Sequence, residues 1–168
     1  MSGEDKRAGS LIKVDTFIHA PIDRCFDLAR NIDLHVISTA ETGERAIAGR
    51  TTGMVELGDT ITFSARHLGI RWKLTSEIIE FDKPHKFVDR MLKGPFKRMK
   101  HEHLFGERVI EGKEGTLMTD ILEMESPFWF IGRIFDNLVL IRHMENFLVK
   151  RNYTLKEYAE SEKWRDLI

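Results

Sequence analysis

The spacing of hydrophobic and polar residues changes period twice along this chain. In 11-LIKVDTFIHA-20 the apolar Ile12 and Val14 alternate with charged neighbours, and together with Phe17 and Ile18 they predict a first strand. The segment 21-PIDRCFDLARNIDLHVIST-39 then moves to helical spacing through Ile22, Cys25, Phe26, Ala29, Ile32 and Val36. Pro21 suits a first helical position, and Asp27 and Asn31 interrupt the apolar stripe. Two short helices broken near Asn31 are therefore expected in place of one long helix.

From residue 43 to residue 125 the period returns to two. Candidate strands fall at 44–50, 58–67, 69–82, 85–93, 96–111 and 115–125, with turn signals at Gly53, Leu68-Gly69, Lys83-Pro84, Gly94-Pro95 and Gly112 to Gly115. Such short connections predict antiparallel hairpins. In 70-IRWKLTSEI-78 the set Ile70, Trp72, Leu74 and Ile78 alternates with Arg71, Lys73, Thr75 and Glu77, the pattern of a sheet with one wet face. The cover for the other face is expected from the C-terminal segment. Ser126 and Pro127 form an N-cap and first-turn pair. Beyond them, residues 128–160 carry apolar side chains at helical spacing, among them Ile131, Ile134, Leu138, Ile141 and Leu148. The first half of that helix is apolar nearly all round, which fits burial against the sheet, a membrane-surface patch or a dimer contact.

Composition narrows the classes. A chain of 168 residues suits one domain with a proper core, and 42% hydrophobic with 32% charged residues is the composition of a folded soluble protein. The balance of 26 Lys+Arg against 27 Asp+Glu gives no electrostatic footprint for nucleic acid. Cys25 is the single cysteine, which excludes an intramolecular disulfide and a cysteine-built zinc site. The polar stretch 1-MSGEDKRAGS-10 reads as a flexible tail without the apolar core of a secretory signal, and no later run approaches the roughly 18 apolar residues of a membrane span. The expectation is a cytoplasmic protein with a single domain over 11–160, a tail at 161–168, and no stable membrane insertion.

The candidate chemistry lies on the faces expected to be buried. The stretch 94-GPFKRMKHEHLF-105 splits into Arg98, Lys100 and Glu102 on one face and Met99, His101, His103 and Phe105 on the other. The same alternation turns inward Phe63 and His67, Trp72, Phe87 and Asp89, and Asp120 between Met118 and Leu122. Buried ionisable groups are costly unless they meet one another or a ligand. A three-residue turn at Gly94-Pro95-Phe96 sets Asp89 opposite His101, a pair in which the carboxylate would hold one ring nitrogen and leave the other free. A turn through Lys113-Glu114 would set Asp120 across from Glu107, away from His101, with Arg142 of the helix as its candidate partner. Two histidines two residues apart on a strand, with a carboxylate, could complete a zinc or iron site; the expectation is nevertheless no metal and no cofactor.

The order strand, two short helices, six antiparallel strands and long C-terminal helix resembles the helix-grip fold of the START/SRPBCC superfamily, which includes lipid-transfer domains, plant allergens and polyketide cyclases. The opening 14-VDTFIHAPIDRCFDLARNID-33 is similar to the superfamily's usual start. The segments 84-PHKFVDRMLKGPFKRMKHEHLF-105 and 115-GTLMTDILEM-124 resemble a largely uncharacterised bacterial branch with a Phe-x-Asp (Phe87, Asp89), a Gly-Pro-Phe (Gly94 to Phe96), a His-x-His (His101, His103) and a Gly-Thr-x-x-x-Asp (Gly115, Thr116, Asp120). The resemblance implies an α+β fold: a curved antiparallel sheet of about seven strands wrapped around the long helix, with an apolar cavity between them.

The expected function is to bind or carry a small hydrophobic molecule, lipid, polyketide or isoprenoid-like, in that cavity. Its expected lining is Phe63, His67, Trp72, Phe87, Asp89, His101, His103, Phe105, Asp120, Leu138 and Arg142. Two other readings stay open: a cyclase-like or hydrolytic enzyme using an Asp-His pair in the same cavity, and a protein- or membrane-interaction module, a homodimer among its options, using the apolar start of the C-terminal helix. A buried polar network that merely fixes strand register accounts for the same residues.

Overall fold

The computed structural model describes residues 9–125 and 137–168 of the chain. Strand β1 (Ser10–Ile18) buries Ile12, Val14 and Ile18, and Ala20-Pro21 then leads into helix α1 (Ile22–Ala29). Helix α2 (Ile32–Ser38) follows almost at once. Its separation from α1 is local chemistry: Asn31 takes an extended backbone and accepts the Leu34 N–H with its side chain, an N-cap that starts a new helix.

Six strands then run as a meander: β2 (Arg45–Gly49), β3 (Thr60–His67), β4 (Ile70–Asp82), β5 (Lys86–Lys93), β6 (Arg98–Ile110) and β7 (Lys113–Glu125). All pair antiparallel, and β1 closes on β7 to give the order β1-β7-β6-β5-β4-β3-β2. Register shifts between Ala46 and Ala48, between Thr75 and Ser76, and between Ile78 and Glu80 mark bulges, which bend and twist a sheet. Helices α1 and α2 carry the chain from one sheet edge to the other, and α3 (Asn137–Ala159) packs on β1, α1 and α2. This is a seven-stranded curved sheet with one long C-terminal helix, an α+β helix-grip fold.

One turn differs from expectation, with consequences for the site. The β6–β7 loop is the two residues Glu111 and Gly112, both at positive φ, as the tight turn favoured by twisted hairpins requires. The expected turn lay two residues further on. The shorter route sets Glu107 opposite Thr116 and His103 opposite Asp120, bringing that carboxylate beneath the histidines. The motif at the start of β7 is structural: a Cβ at Gly115 would lie 2.4 Å from the Ile18 carbonyl oxygen, and buried Thr116 donates to the Ala20 carbonyl at 2.8 Å.

Residues 161–168, expected as a tail, include a short 3-10 helix (Lys163–Asp166) that returns to the body. Trp164, Leu167 and Ile168 pack on the cluster around Phe26, and Asn31 donates to the Leu167 carbonyl at 3.0 Å. Among the described residues no helix is long and apolar enough to cross a membrane. The Ser126-Pro127 cap, residues 128–130, Ile131 and Ile134 lie outside the described residues, and so does most of the apolar helix start assigned to an interaction surface.

Candidate functional site

A cavity of about 540 Å³ lies between the sheet and α3. Its sheet wall includes Phe63, Ala65, Trp72, Leu74, Ile78 and Phe87; Phe96 comes from the β5–β6 turn, and Leu140, Met144, Phe147 and Leu148 come from α3. The volume falls within the range of small-molecule sites, and the lining is predominantly apolar with a few polar groups, as such sites require.

The α3 residues explain one correction. Leu140, Met144, Phe147, Leu148 and Arg151 recur every three or four residues and form one stripe, which continues through buried Leu155 and Ala159. Leu138 lies two residues, about 200° of helix, from Leu140 and is exposed. Arg142 is nine residues from Arg151, about two and a half turns, so it takes the opposite, exposed face. Neither lines the cavity, and Arg151 fills the role expected of Arg142.

The polar groups meet on β5, β6 and β7. Asp120, fully buried, accepts at Oδ1 from His101 Nε2 at 2.9 Å and from Arg151 Nη2 at 2.8 Å, and His103 Nδ1 also lies 2.9 Å from that oxygen. Its Oδ2 accepts from Asn152 at 2.6 Å. On the cavity side of the two rings, Asp89 Oδ2 lies 3.9 Å from His101 Nδ1 and 3.5 Å from His103 Nε2. The His103 ring stacks on Phe87 at 4.1 Å and sits 3.9 Å from the His101 ring. Asp89 does pair opposite His101 in the sheet, as the three-residue turn predicts.

Burial and these contacts set the charges. Burial, with the neighbouring His103, pushes His101 down to about 4. Burial would also lower His103, but its hydrogen bonds to Asp120 and Asp89 outweigh it and raise that ring above its ordinary value. For Asp120, the Arg151 guanidinium and the two rings overcome the effect of burial and hold the carboxyl well below its usual range. Asp89 is likewise lowered against burial, by His103 first and then His101. The cluster sets two carboxylates against one guanidinium and two imidazole rings.

Of the other residues expected at the site, Phe63, His67 and Trp72 line the cavity. Phe105 does not: it packs edge-on to Phe26 at 5.4 Å, within the core behind the wall. Asp120 sits behind the histidines, away from the lining. His35 and Glu44 were not foreseen; both line the cavity beside Phe63, with His35 Nε2 3.2 Å from Glu44 Oε1. Arg151 and Asn152 were also missed, although an arginine on the same helical stripe as Leu148 and Leu155 is visible in 148-LVKRNYTL-155.

Among solved structures, the Zhui aromatase/cyclase from Streptomyces sp. R1128 superposes with a TM-score of 0.71 at 13% identity, over 91% of this chain and 94% of that one. TTHA0849 from Thermus thermophilus gives 0.70 at 19% identity, over 89% and 97%. A START superfamily protein from Mycobacterium smegmatis gives 0.66 at 9%, over 91% and 98%. No protein-family model and no curated protein matches the chain. The molecule therefore has the START/SRPBCC fold. At these identities the likeness is one of architecture.

Proposed function

We propose that the protein binds and carries a small, mostly apolar molecule in the cavity between sheet and α3, with the His101–His103–Asp89 wall selecting its polar group. One observation carries this reading: an apolar cavity of about 540 Å³ meets a buried, hydrogen-bonded polar cluster at one wall. Apolar walls supply affinity in such sites and a few placed polar groups supply orientation. The ligand class that fits is a lipid, polyketide or isoprenoid-like molecule. Native mass spectrometry of freshly purified protein, compared with its denatured mass, tests it: a non-covalent adduct of a few hundred daltons is the expected result. A bare native mass, together with failure to bind an apolar fluorophore such as Nile red, would refute it.

A second reading is cyclase-like acid-base catalysis, favoured by the Asp120–His101 pair, which holds Nε2 and leaves Nδ1 toward the cavity. The aromatase/cyclase is similar in fold. A ring held at about 4 is a weak base at neutral pH; His103, raised by its hydrogen bonds to Asp120 and Asp89, is the better candidate for proton transfer. Turnover of a polyketide-like substrate that is lost in His103→Gln, with binding retained, would favour this reading over the carrier.

A further inference from the structure

The cavity-facing atoms of the polar wall are Asp89 Oδ2, His101 Nδ1 and His103 Nε2, and all three lie within 4.8 Å of one another. We propose that they hold one divalent first-row transition ion of the zinc, cobalt or iron(II) type, which mixed nitrogen and carboxylate donors suit. This departs from the sequence expectation of no metal. It goes beyond the carrier reading and does not depend on it.

Three observations carry the proposal. The first is orientation. Both rings place their far nitrogens 2.9 Å from the same buried carboxylate, Asp120 Oδ1. A neutral ring that gives its N–H to Asp120 presents its lone pair on the opposite side, toward Asp89. An outer carboxylate that fixes the tautomer of a coordinating imidazole is the usual support of a metal-bound histidine. The second is charge. Coordination leaves both rings neutral, so that Asp89 and Asp120 then face only the single guanidinium of Arg151, and the ion supplies the balancing charge. The third is access. Asp89, His101 and His103 all line the cavity, so an ion held by three protein ligands keeps an open position toward it. That position would take water or an oxygen of the cavity's occupant.

The dimensions are compatible. Metal–ligand bonds of about 2.1 Å in a tetrahedral site need donor separations of about 3.4 Å. The Asp89 edges of 3.5 and 3.9 Å approach that already. Asp89 is 17% exposed against 8% and 4% for the two rings, so the carboxylate has the most room to adjust.

The test uses the full chain, stripped with EDTA, desalted, and titrated with cobalt(II) by visible absorption and with zinc by calorimetry. One ion per chain is expected, with the intense visible bands of low-coordinate cobalt. Affinity should fall about tenfold or more in Asp89→Asn and in His101→Gln. His143→Gln, which removes one ring of the separate His67–His143 pair, should leave affinity unchanged. Should His101→Gln fail to fold by near-ultraviolet circular dichroism, Asp89→Asn carries the comparison. Absence of stoichiometric binding, or binding that survives Asp89→Asn, would overturn the proposal. Nile red binding to the same samples separates the two ideas: dye bound without an ion sinks the metal site alone, and an ion bound without dye sinks the carrier alone.

Discussion

Arg151 Nη2 lies 2.8 Å from Asp120 Oδ1, so a guanidinium on α3 and a carboxylate on β7 neutralise each other inside the molecule. Arg151 is 8% exposed and Asp120 not at all. Two ions desolvated to this degree gain little over apolar residues when both are present, but breaking the pair leaves an uncompensated charge. The same carboxylate holds both cavity histidines, which makes this ion pair the support of the whole polar wall.

Replacing Arg151 with Met should therefore destabilise the protein by about 3–5 kcal/mol, the usual cost of removing one partner of a buried pair. Arg142→Met, on the exposed face of the same helix, should change stability by no more than about 0.5 kcal/mol. Urea midpoints for the two variants and the parent decide the point. Equal effects would mean that Asp120 simply takes a proton when its partner is lost.

The pH dependence of stability should carry the signature of a second histidine pair. His67 Nδ1 lies 3.1 Å from His143 Nε2, and the groups around them are Glu44 and His35 at the cavity wall. Burial lowers both rings; for His67 the Glu44 carboxylate opposes that and His143 adds to it. A folded pKa below the unfolded value of 6.5 has no effect at high pH, where neither state is protonated. As pH falls through about 6.5, the unfolded chain takes up protons that the folded chain refuses, so stability falls. Denaturant midpoints measured from about pH 7.5 to 5 should fall less steeply in His143→Gln than in the parent. His101 contributes with the same sign in both proteins and cancels in the comparison; identical slopes would refute the assignment.

Cys25 gives a simpler check on the core. Its thiol is fully buried under α1, with Sγ 3.8 Å from the Ala20 carbonyl oxygen, and burial pushes it up to about 11. Thiolate is the reactive form. The native protein should resist Ellman's reagent at pH 8 over hours and react at once in urea. Rapid native reaction would show that the α1 layer opens readily.

Much of this architecture can be read directly from the chain, for identifiable reasons. Strands β2 to β7 carry a two-residue alternation, interrupted at the bulges of the β2–β3 and β4–β5 pairs, and strong turn residues, so their bounds fall within two residues of the expected ones. Asn31 both breaks the apolar stripe and caps the helix that follows it, which is why the α1–α2 split is legible. The Asp89–His101 pairing follows from one loop length. The same arithmetic failed at β6–β7 because Glu111 adopts positive φ, a conformation rare for a residue other than glycine, and a two-residue error in the turn moved Asp120 four places along β6. Arg142 interrupts 138-LVLIRHM-144, where an apolar run conceals which side faces inward; the register set by Leu140, Met144 and Leu148 selects Arg151 instead. Glu44 falls at the start of the expected strand 44–50 but precedes β2 by one residue, and His35 lies on α2, so strand alternation does not set either against the cavity.

The carrier reading makes a prediction that leaves the polar wall untouched. Ala65 lines the cavity from β3, 6% exposed, between the apolar Phe63 and the turn at Leu68. A phenyl group added there points into the cavity, and the sheet's hydrogen bonds need not change. Filling empty space with apolar surface is tolerated where volume exists and costs about 1–3 kcal/mol where it does not. Ala65→Phe should therefore retain a cooperative thermal transition near that of the parent while its affinity for Nile red falls about tenfold or more, since a bulky side chain displaces the bound molecule. Unchanged dye binding in a folded Ala65→Phe protein would place the dye elsewhere on the molecule and remove the cavity as the ligand site. Loss of both fold and binding would show that the space around Ala65 is filled in the native protein, which the native mass spectrum of the parent would then have to match with no adduct.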